Sequence, residues 1–563
     1  MQNTVLPNSI CNELDRLNRN FLWGSSTERK KMHLVGWEKV CRPKREGGLG
    51  LYATKPRNKA LLAKLNWRLH DEKESWWART LTAKYCPNGI ISSPLPIHRS
   101  GSTNWRGLKL GHEVFRNGLR WVVHNGQHVS FWNDKWVGNQ PLRDVIQGPM
   151  TLEESGFRVC DLIEGASFWD LSKLSFDLPP SICAQIKSLY LCTLSHLEDC
   201  IVCDTVDGSF SLRNAYQLAC KPPHRLASRS RPTWIWHTLT SPRIQFFLWQ
   251  CYHNSVPVRA TLAHRGINIS PSCSRCVNPM ESLSHVLKDC PDSISFWTDI
   301  VPPQCALNSF NFSLFDWLSF NCTSAAMHPS SHIQWSTVFT FGLWNLWLRR
   351  NQVIFNPGTS LPNLSTLTLA FASEFFCLWG SGKNPKVSQT IPVKWLLPPL
   401  GWAKLNTDGA SSGNPGPAGG GGVIRDCRGD WVKGFSRSIG LASSVQAELR
   451  ALLDGLLMTV ELNIPFLEIE MDSLVAIDLI LANHPPNVFL RSMVSDCRYL
   501  LEKFEGVSIK HVYREANMCA DLLAKAGCDQ LQDFVLFCTP PAHVLEVLRF
   551  DLSVDTRFRV IRR

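Results

Sequence analysis

The sequence predicts a multidomain protein of mixed α+β and α/β class, on three observations. Residues 1–90 repeat apolar positions at helical spacing, residues 401–528 alternate strand and helix signals, and a Cys/His-rich section lies between them. At 563 residues the chain is long enough for about three to four domains. A hydrophobic fraction of 44% with 22 Trp supplies material for several cores.

Taken in order, "NELDRLNRNFLW" and "KALLAKLNWRLH" read as amphipathic helices, with a Pro/Gly break at "CRPKREGGLGL" between them. Residues 100–200 read as a β-rich connection, because "LRWVVHNGQHVSFWNDKW" carries a hairpin-turn signal at "HNGQ". The Cys/His-rich section occupies 205–300, and a Trp-rich helical region occupies 301–380. There Trp344, Trp347 and Leu348 stand at helical spacing and read as core, although aromatic and Arg side chains interleave as they do in base-stacking surfaces. Residues 381–400 read as a linker, 401–528 as a separate unit, and 529–563 as a tail without a signal.

Charge is uneven. Residues 1–80 carry 16 Lys+Arg against 8 Asp+Glu, whereas 401–530 carry 12 against 16. A basic front and an acidic rear suit a protein that holds an anionic polymer upstream and works on it with carboxylates downstream. No apolar run reaches the roughly 20 residues of a membrane span, and the first residues lack a secretory pattern. The expectation is a soluble intracellular protein, nuclear or cytoplasmic, whose 21 Cys are reduced thiols or metal ligands.

The rear unit concentrates the chemistry. "GWAKLNTD" is a strand-like run that ends on Asp408, followed by "GASSGNPGPAGGGG". A phosphate cradle, a plain hairpin or a metal ligand at a strand end would each fit such a stretch. The phosphate loop fails because no Gly-Lys-Ser/Thr follows. "GSGKN" at 380–384 fails too, with Cys377 where a Gly is needed and Asn384 in place of Ser/Thr. Two further strands joined by "CRGD" lead to a helix marked by Val445, Leu449, Leu452, Leu453, Leu456 and Val460. Ser443 or Ser444 is its N-cap, and Glu448 lies in its first turn. "FLEIEMDS" alternates strictly and ends on Asp472, and "NMCADLLAKAG" is a helix that carries Asp521 and closes on Gly527. Two strand ends and two helices thus each present an acid, an oxygen-only donor set suited to Mg²⁺.

"TDGASSGNPGPAGGG", "AEL", "MDS" and "HVYREANMCADLLAKAG" together resemble the type I ribonuclease H family, in the form attached to plant non-LTR retrotransposons. The resemblance implies a mixed five-stranded sheet with flanking helices. It assigns the catalytic metal-binding acids to Asp408, Glu448, Asp472 and Asp521, substrate contacts to Asn414 and Asn517, and product release to His511. The implied reaction is hydrolysis of the RNA strand of RNA–DNA hybrids with two Mg²⁺, Mn²⁺ being an alternative. Where the cellular enzymes have paired Asn before the Glu, this chain has "SVQAE".

"CSRCVNPMESLSHVLKDC" spaces Cys273, Cys276, His285 and Cys290 as a tetrahedral Zn²⁺ site requires. It resembles the zinc-binding domain that follows reverse transcriptase in plant retroelements, and "DGSFSLRNAY", "FFLWQ" and "CPDSISFW" extend the likeness. Four protein ligands leave no open position, so one structural Zn²⁺ is expected. "CIVC" at Cys200 and Cys203 lies in a strand-like run without a regularly spaced partner pair. Residues 1–90 resemble the segment after a polymerase core. The Asp-Asp pair that a polymerase needs is missing from the chain, and no reverse transcription is expected. The alternative to an active ribonuclease is a nucleic-acid-binding relic that folds but does not cut.

Overall fold

The computed structural model describes residues 1–85, 101–164, 168–192, 194, 197–220, 232–302, 310–329, 331–357, 362–380, 388–484, 486–553 and 555–562. Residues 381–387 of the linker reading, with them all but the first residue of "GSGKN", and residues 86–100 fall outside these.

The rear unit is built on six strands: β1 Ala403–Ser411, β2 Gly416–Arg425, β3 Trp431–Ala442, β4 Phe466–Met471, β5 Gly506–His511 and β6 Phe534–Phe537. Their order in the sheet is β5-β4-β1-β2-β3-β6. The β5/β4 and β4/β1 pairs are parallel, and the remaining three pairs are antiparallel. The helices are α1 Ser444–Glu461, α2 Leu474–Leu481, α3 Arg491–Leu501, α4 Met518–Asp529 and α5 Ala542–Leu552. The mixed sheet with flanking helices agrees with the sequence, with one strand more, because β6 comes from the stretch read as a tail.

Glycine spacing explains how the helices seat. The run 419–422 is not the turn; it lies inside β2, opposite 407–410 of β1. A Cβ on Gly421 would clash with backbone of Leu523 and Ala524, so its absence lets α4 lie against the sheet. A Cβ on Gly409 would meet the backbone of Ala447 and Glu448, so α1 approaches β1 closely on the other side. Leu449, Leu452, Leu453 and Leu456 of α1 are fully buried with Leu405 and Ile469, while Val445 and Val460 pack at the edge. Each fully buried Leu contributes about 1.5–3 kcal/mol. Ser443 is the N-cap of α1, and Gln446 of "SVQAE" completes a capping box with it. Gly527 does not end a helix: α4 runs on to Asp529, and Gly527 lies against the carbonyl of Arg437.

The last residues are part of this unit. Asp551 of α5 pairs with fully buried Arg425 at 3.0 Å, and Arg557 binds Asp551 from the other side at 3.0 Å. Within the stretch read as a linker, Ser388–Val393 forms a strand that pairs antiparallel with Arg557–Arg562. Beyond it Trp395 is buried and donates from Nε1 to Asn406.

Upstream, "NELDRLNRNFLW" lies in the helix Asn8–Trp23 and "KALLAKLNWRLH" in the helix Thr54–Asp71, as expected from their spacing. The connection is not β-rich. Among the described residues it holds short helices and two two-stranded pairs, and Leu119–Val122 pairs with Cys200–Cys203 instead of folding back at "HNGQ". The reason is Asp199, whose carboxylate accepts from the backbone N–H of His124, Asn125, Gly126 and His128 and thereby replaces a strand partner. Phe131, Trp132 and Trp136 then collapse into a core of their own. This region docks on the rear unit through Tyr190 Oη, which donates to Asp496 at 2.7 Å, and through His124 Nδ1 and Ser492 Oγ at 2.6 Å. In the Trp-rich region the helix Trp335–Phe355 buries Trp347, half-buries Trp344 and leaves Leu348 exposed. No helix among the described residues is long and apolar enough to cross a membrane.

Candidate active site and metal centre

β1 and β4 are parallel neighbours with Asn406 opposite Glu470, so Asp408 stands beside Asp472 two residues further on. Asp472 follows the last residue of β4, whereas β1 does not end on Asp408 but runs on to Ser411, paired with β2. Glu448 enters from the first turns of α1, held against β1 at Gly409. One carboxylate oxygen from each of Asp408, Glu448 and Asp472 lies within 4.8 Å of the others. Asp408 is 5% and Glu448 8% exposed; Asp472 is half-buried. Burial first, and then the neighbouring Asp472, push the Asp408 carboxyl up to about 8. Burial and then Asp408 and Asp472 push Glu448 up to about 10. Glu448 Oε2 is buried without a hydrogen-bond partner. Three acids that repel one another around an unsatisfied oxygen fit a divalent cation, which would supply the missing positive charge.

The fourth acid is not in this group. Asp521 lies on α4, and its carboxylate is held by Arg514 and Lys525: Arg514 Nε donates to Oδ1 at 3.0 Å, joined there by Nη2, and Lys525 Nζ donates to Oδ2 at 2.6 Å. The structure thus brings together three of the four predicted acids and places Asp521 beside them with counter-ions of its own. Lys525 was legible as an i,i+4 partner of Asp521. Arg514 was not, because it reaches Asp521 across a 3₁₀ turn.

Asn517 differs from its predicted role. It is 1% exposed; its Nδ2 donates to the Thr407 carbonyl at 2.8 Å, and its Oδ1 accepts from Asn406 at 3.2 Å. It ties α4 to β1 next to Asp408 and presents no open face to a substrate. Asn414 is exposed in the turn after β1, where its Oδ1 accepts from the backbone N–H of Ser444 at 3.3 Å, at the start of α1. His511 is exposed at the end of β5, opposite Met471 and so beside Asp472, with its ring edge-on to Tyr513.

The second cluster is Cys273, Cys276, His285 and Cys290, whose ligand atoms all lie within 4.8 Å of one another. A single π-helical turn, His285–Asp289, closes with the Cys290 N–H donating to the His285 carbonyl at 2.8 Å, which sets these two ligands on the same side. Cys276 Sγ and His285 Nε2 are 3.3 Å apart, and the Arg275 N–H donates to Cys273 Sγ at 3.4 Å. The Asn278 backbone favours the Cys276 thiolate and lowers its pKa, while burial pushes Cys290 up to about 11. Three sulfurs and one imidazole nitrogen at this spacing fit Zn²⁺. Cys200 and Cys203 lie in the paired strand Cys200–Cys203.

Comparison with known proteins agrees with this geometry. Residues 406–527 match the family described as reverse transcriptase-like, and residues 210–297 match the one described as zinc-binding in reverse transcriptase. A protein of Arabidopsis thaliana, provisionally named a ribonuclease H protein, is 35% identical over 571 aligned positions that take in 100% of this chain and 92% of its own length. Ribonuclease HI of Halobacterium salinarum is 38% identical over 123 residues, 22% of this chain and 62% of that protein. The crystal structure of ribonuclease H1 from the same archaeon aligns at 34% identity over 23% of this chain and 98% of its own, with a TM-score of 0.21. Fold and site together define a ribonuclease H-like unit joined to a zinc module of the reverse-transcriptase kind. The chain belongs to the retroelement-derived ribonuclease H proteins.

Proposed function

We propose that the protein is a divalent-metal-dependent endonuclease that hydrolyses the RNA strand of RNA–DNA hybrids. The observation that carries this reading is the convergence of Asp408 from within β1, Asp472 from the end of β4 and Glu448 from a helix onto one point. A divalent cation, when bound there, supplies a Lewis acid that activates water and neutralises charge on the scissile phosphate; Mg²⁺ suits the oxygen donors, with Mn²⁺ an alternative. The two buried acids hold fixed positions because β1, β4 and α1 are locked by the core beneath them. Asn414 would contact the nucleic-acid backbone, a role supported by its exposure beside the start of α1. His511 would assist product release, a role supported by its exposure beside Asp472. Choice of the RNA strand would rest on contacts to its 2′-hydroxyl. Asn517 acts as a positioning residue for Asp408. The Cys273, Cys276, His285 and Cys290 set holds one Zn²⁺ in a structural role, since four protein ligands leave no position for a substrate. We assign the protein no membrane or reverse-transcription role, and place its work in the nucleus or cytoplasm.

A labelled RNA–DNA hybrid incubated with Mg²⁺ and the full chain tests this. Cleavage of the RNA strand, lost in Asp408→Asn and Asp472→Asn, is the expected result. Cleavage that survives either substitution refutes the assignment. A second reading, a protein that binds hybrids without cutting them, is favoured by one observation: Asp521 is already occupied by Arg514 and Lys525. Hybrid retention without cleavage at any Mg²⁺ or Mn²⁺ concentration would support it.

A further inference from the structure

Asp521 is the acid that the centre leaves out, and its surroundings explain why. Its side chain is 4% exposed, and a carboxylate buried to that degree needs a counter-charge. Arg514 supplies one on Oδ1 and Lys525 supplies one on Oδ2. Both cations are themselves more than half exposed, at 57% and 53%, so either head can leave for water at little penalty. The Arg514 charge is also felt at Asp408 and Glu448, where it opposes the mutual repulsion of the acids. Arg514 therefore stands where the acid centre needs further positive charge.

We propose that Arg514 is a resident cation that competes with a second divalent ion for Asp521, and that an incoming phosphate releases it. The inference rests on the function proposed above and deepens it. While Arg514 is seated, Asp408, Glu448 and Asp472 make a three-carboxylate site for one ion, and Asp521 is closed. Arg514 holds a single oxygen of Asp521, yet its planar fork can pair with two oxygens of a phosphodiester. A nucleic-acid backbone reaching the exposed guanidinium offers it the better partner. Oδ1 of Asp521 then needs a replacement cation while Lys525 stays on Oδ2, so substrate binding and completion of the metal site become one event.

Titration of the zinc-loaded full chain with Mn²⁺, followed by electron paramagnetic resonance without nucleic acid, tests this. The wild type is expected to bind one Mn²⁺ well and a second about tenfold or more weaker. Arg514→Gln should tighten the second site by about tenfold while moving the first by less than about threefold, because one nearby positive charge is removed. Arg514→Lys, which keeps the charge, should retain the wild-type count. A non-cleavable oligonucleotide should raise the count in the wild type and add little in Arg514→Gln. Two equivalent ions in the wild type alone, or a second site that Arg514→Gln leaves unchanged, overturns the proposal. Asp408→Asn keeps the two levels apart. If it removes the first ion while Arg514→Gln changes nothing, only the role of Arg514 fails; if it leaves both ions bound, the acid centre itself is not a metal site.

Discussion

Substituting Asp408 by Asn separates what the acid centre does for chemistry from what it does to stability. In the unfolded chain this carboxyl ionises near 4, but in the fold burial and Asp472 hold its proton up to about 8. Between those values the unfolded state releases a proton that the folded state keeps. Stability of the metal-free protein therefore falls as pH rises through that window, and Glu448, pushed up to about 10, adds to the slope. Each pH unit costs up to about 1.4 kcal/mol per group, so from pH 5 to 8 Asp408 alone removes about 2–4 kcal/mol once relaxation of the site is allowed for. Asn at this position cannot ionise and keeps the shape. In EDTA at pH 8 the variant should be more stable than the wild type by about 2–4 kcal/mol, and its stability should fall with pH by about one proton less. Mg²⁺ should stabilise the wild type and not the variant, while cleavage is lost. Hydrogen exchange of peptides from β1, read as protection factors in the intact chain, reports this unit without interference from the upstream cores. A wild type whose β1 protection is flat from pH 5 to 8 in EDTA, or a variant less protected than the wild type there, would refute the electrostatic reasoning.

Asp551→Ala leaves the guanidinium of Arg425 buried without its carboxylate, and should destabilise the rear unit by about 3–5 kcal/mol in urea unfolding followed by β1 exchange; a loss under 1 kcal/mol would mean that Arg425 finds water. Gly421→Ala drives a methyl into the backbone of α4 and should cost about 2–3 kcal/mol or more by the same measurement. Cys273→Ser should lose the single bound zinc seen by metal analysis and lower the thermal midpoint of the upstream core, and zinc content that does not change would refute the cluster.

The acid centre was legible because strand-like runs lead into Asp408 and Asp472, although β1 continues past Asp408 to Ser411, and because the spacing of the Leu residues in α1 fixes which face Glu448 borders. The zinc cluster was legible because a tight Cys pair with a later His and Cys has few other uses. What the sequence hid was governed by long-range partners. "HNGQ" has the residues of a hairpin turn, but Asp199, more than 70 positions away, takes the backbone donors that a return strand would have taken. The tail carries little periodicity over its short pieces, and what folds it lies elsewhere in the chain: Arg425, buried inside β2, pairs with Asp551, and Val423 and Leu523 pack with Val544 and Leu548. Asn517 and Gly527 were assigned by local pattern, one as a substrate contact and the other as a helix stop. Both are set by packing against β1 and β3, which no local pattern reports. Asp521 shows the same limit in charge: its position in the chain marks it as an acid of the site, but which cation holds it depends on where Arg514 points.

Carboxyl groups gather here because the surrounding packing outweighs the cost of burying and crowding them. The parallel register of β1 and β4 places Asp408 and Asp472 side by side, and the glycines of β1 and β2 bring α1 and α4 in from opposite faces without side chains between. Four fully buried Leu on α1, at about 1.5–3 kcal/mol each, exceed the few kcal/mol that the crowded carboxyls remove. The repulsion is thus sustained by the core and remains available to favour a cation. Relaxing it by moving Glu448 outward would gain stability and lose the orientation of its free oxygen. Asp521 meets the same problem differently: beside the other acids, on α4, it borrows two exposed side chains as counter-ions. One sheet therefore holds two buried acids that keep their protons until a cation takes their place, and a replaceable supply of positive charge on the fourth.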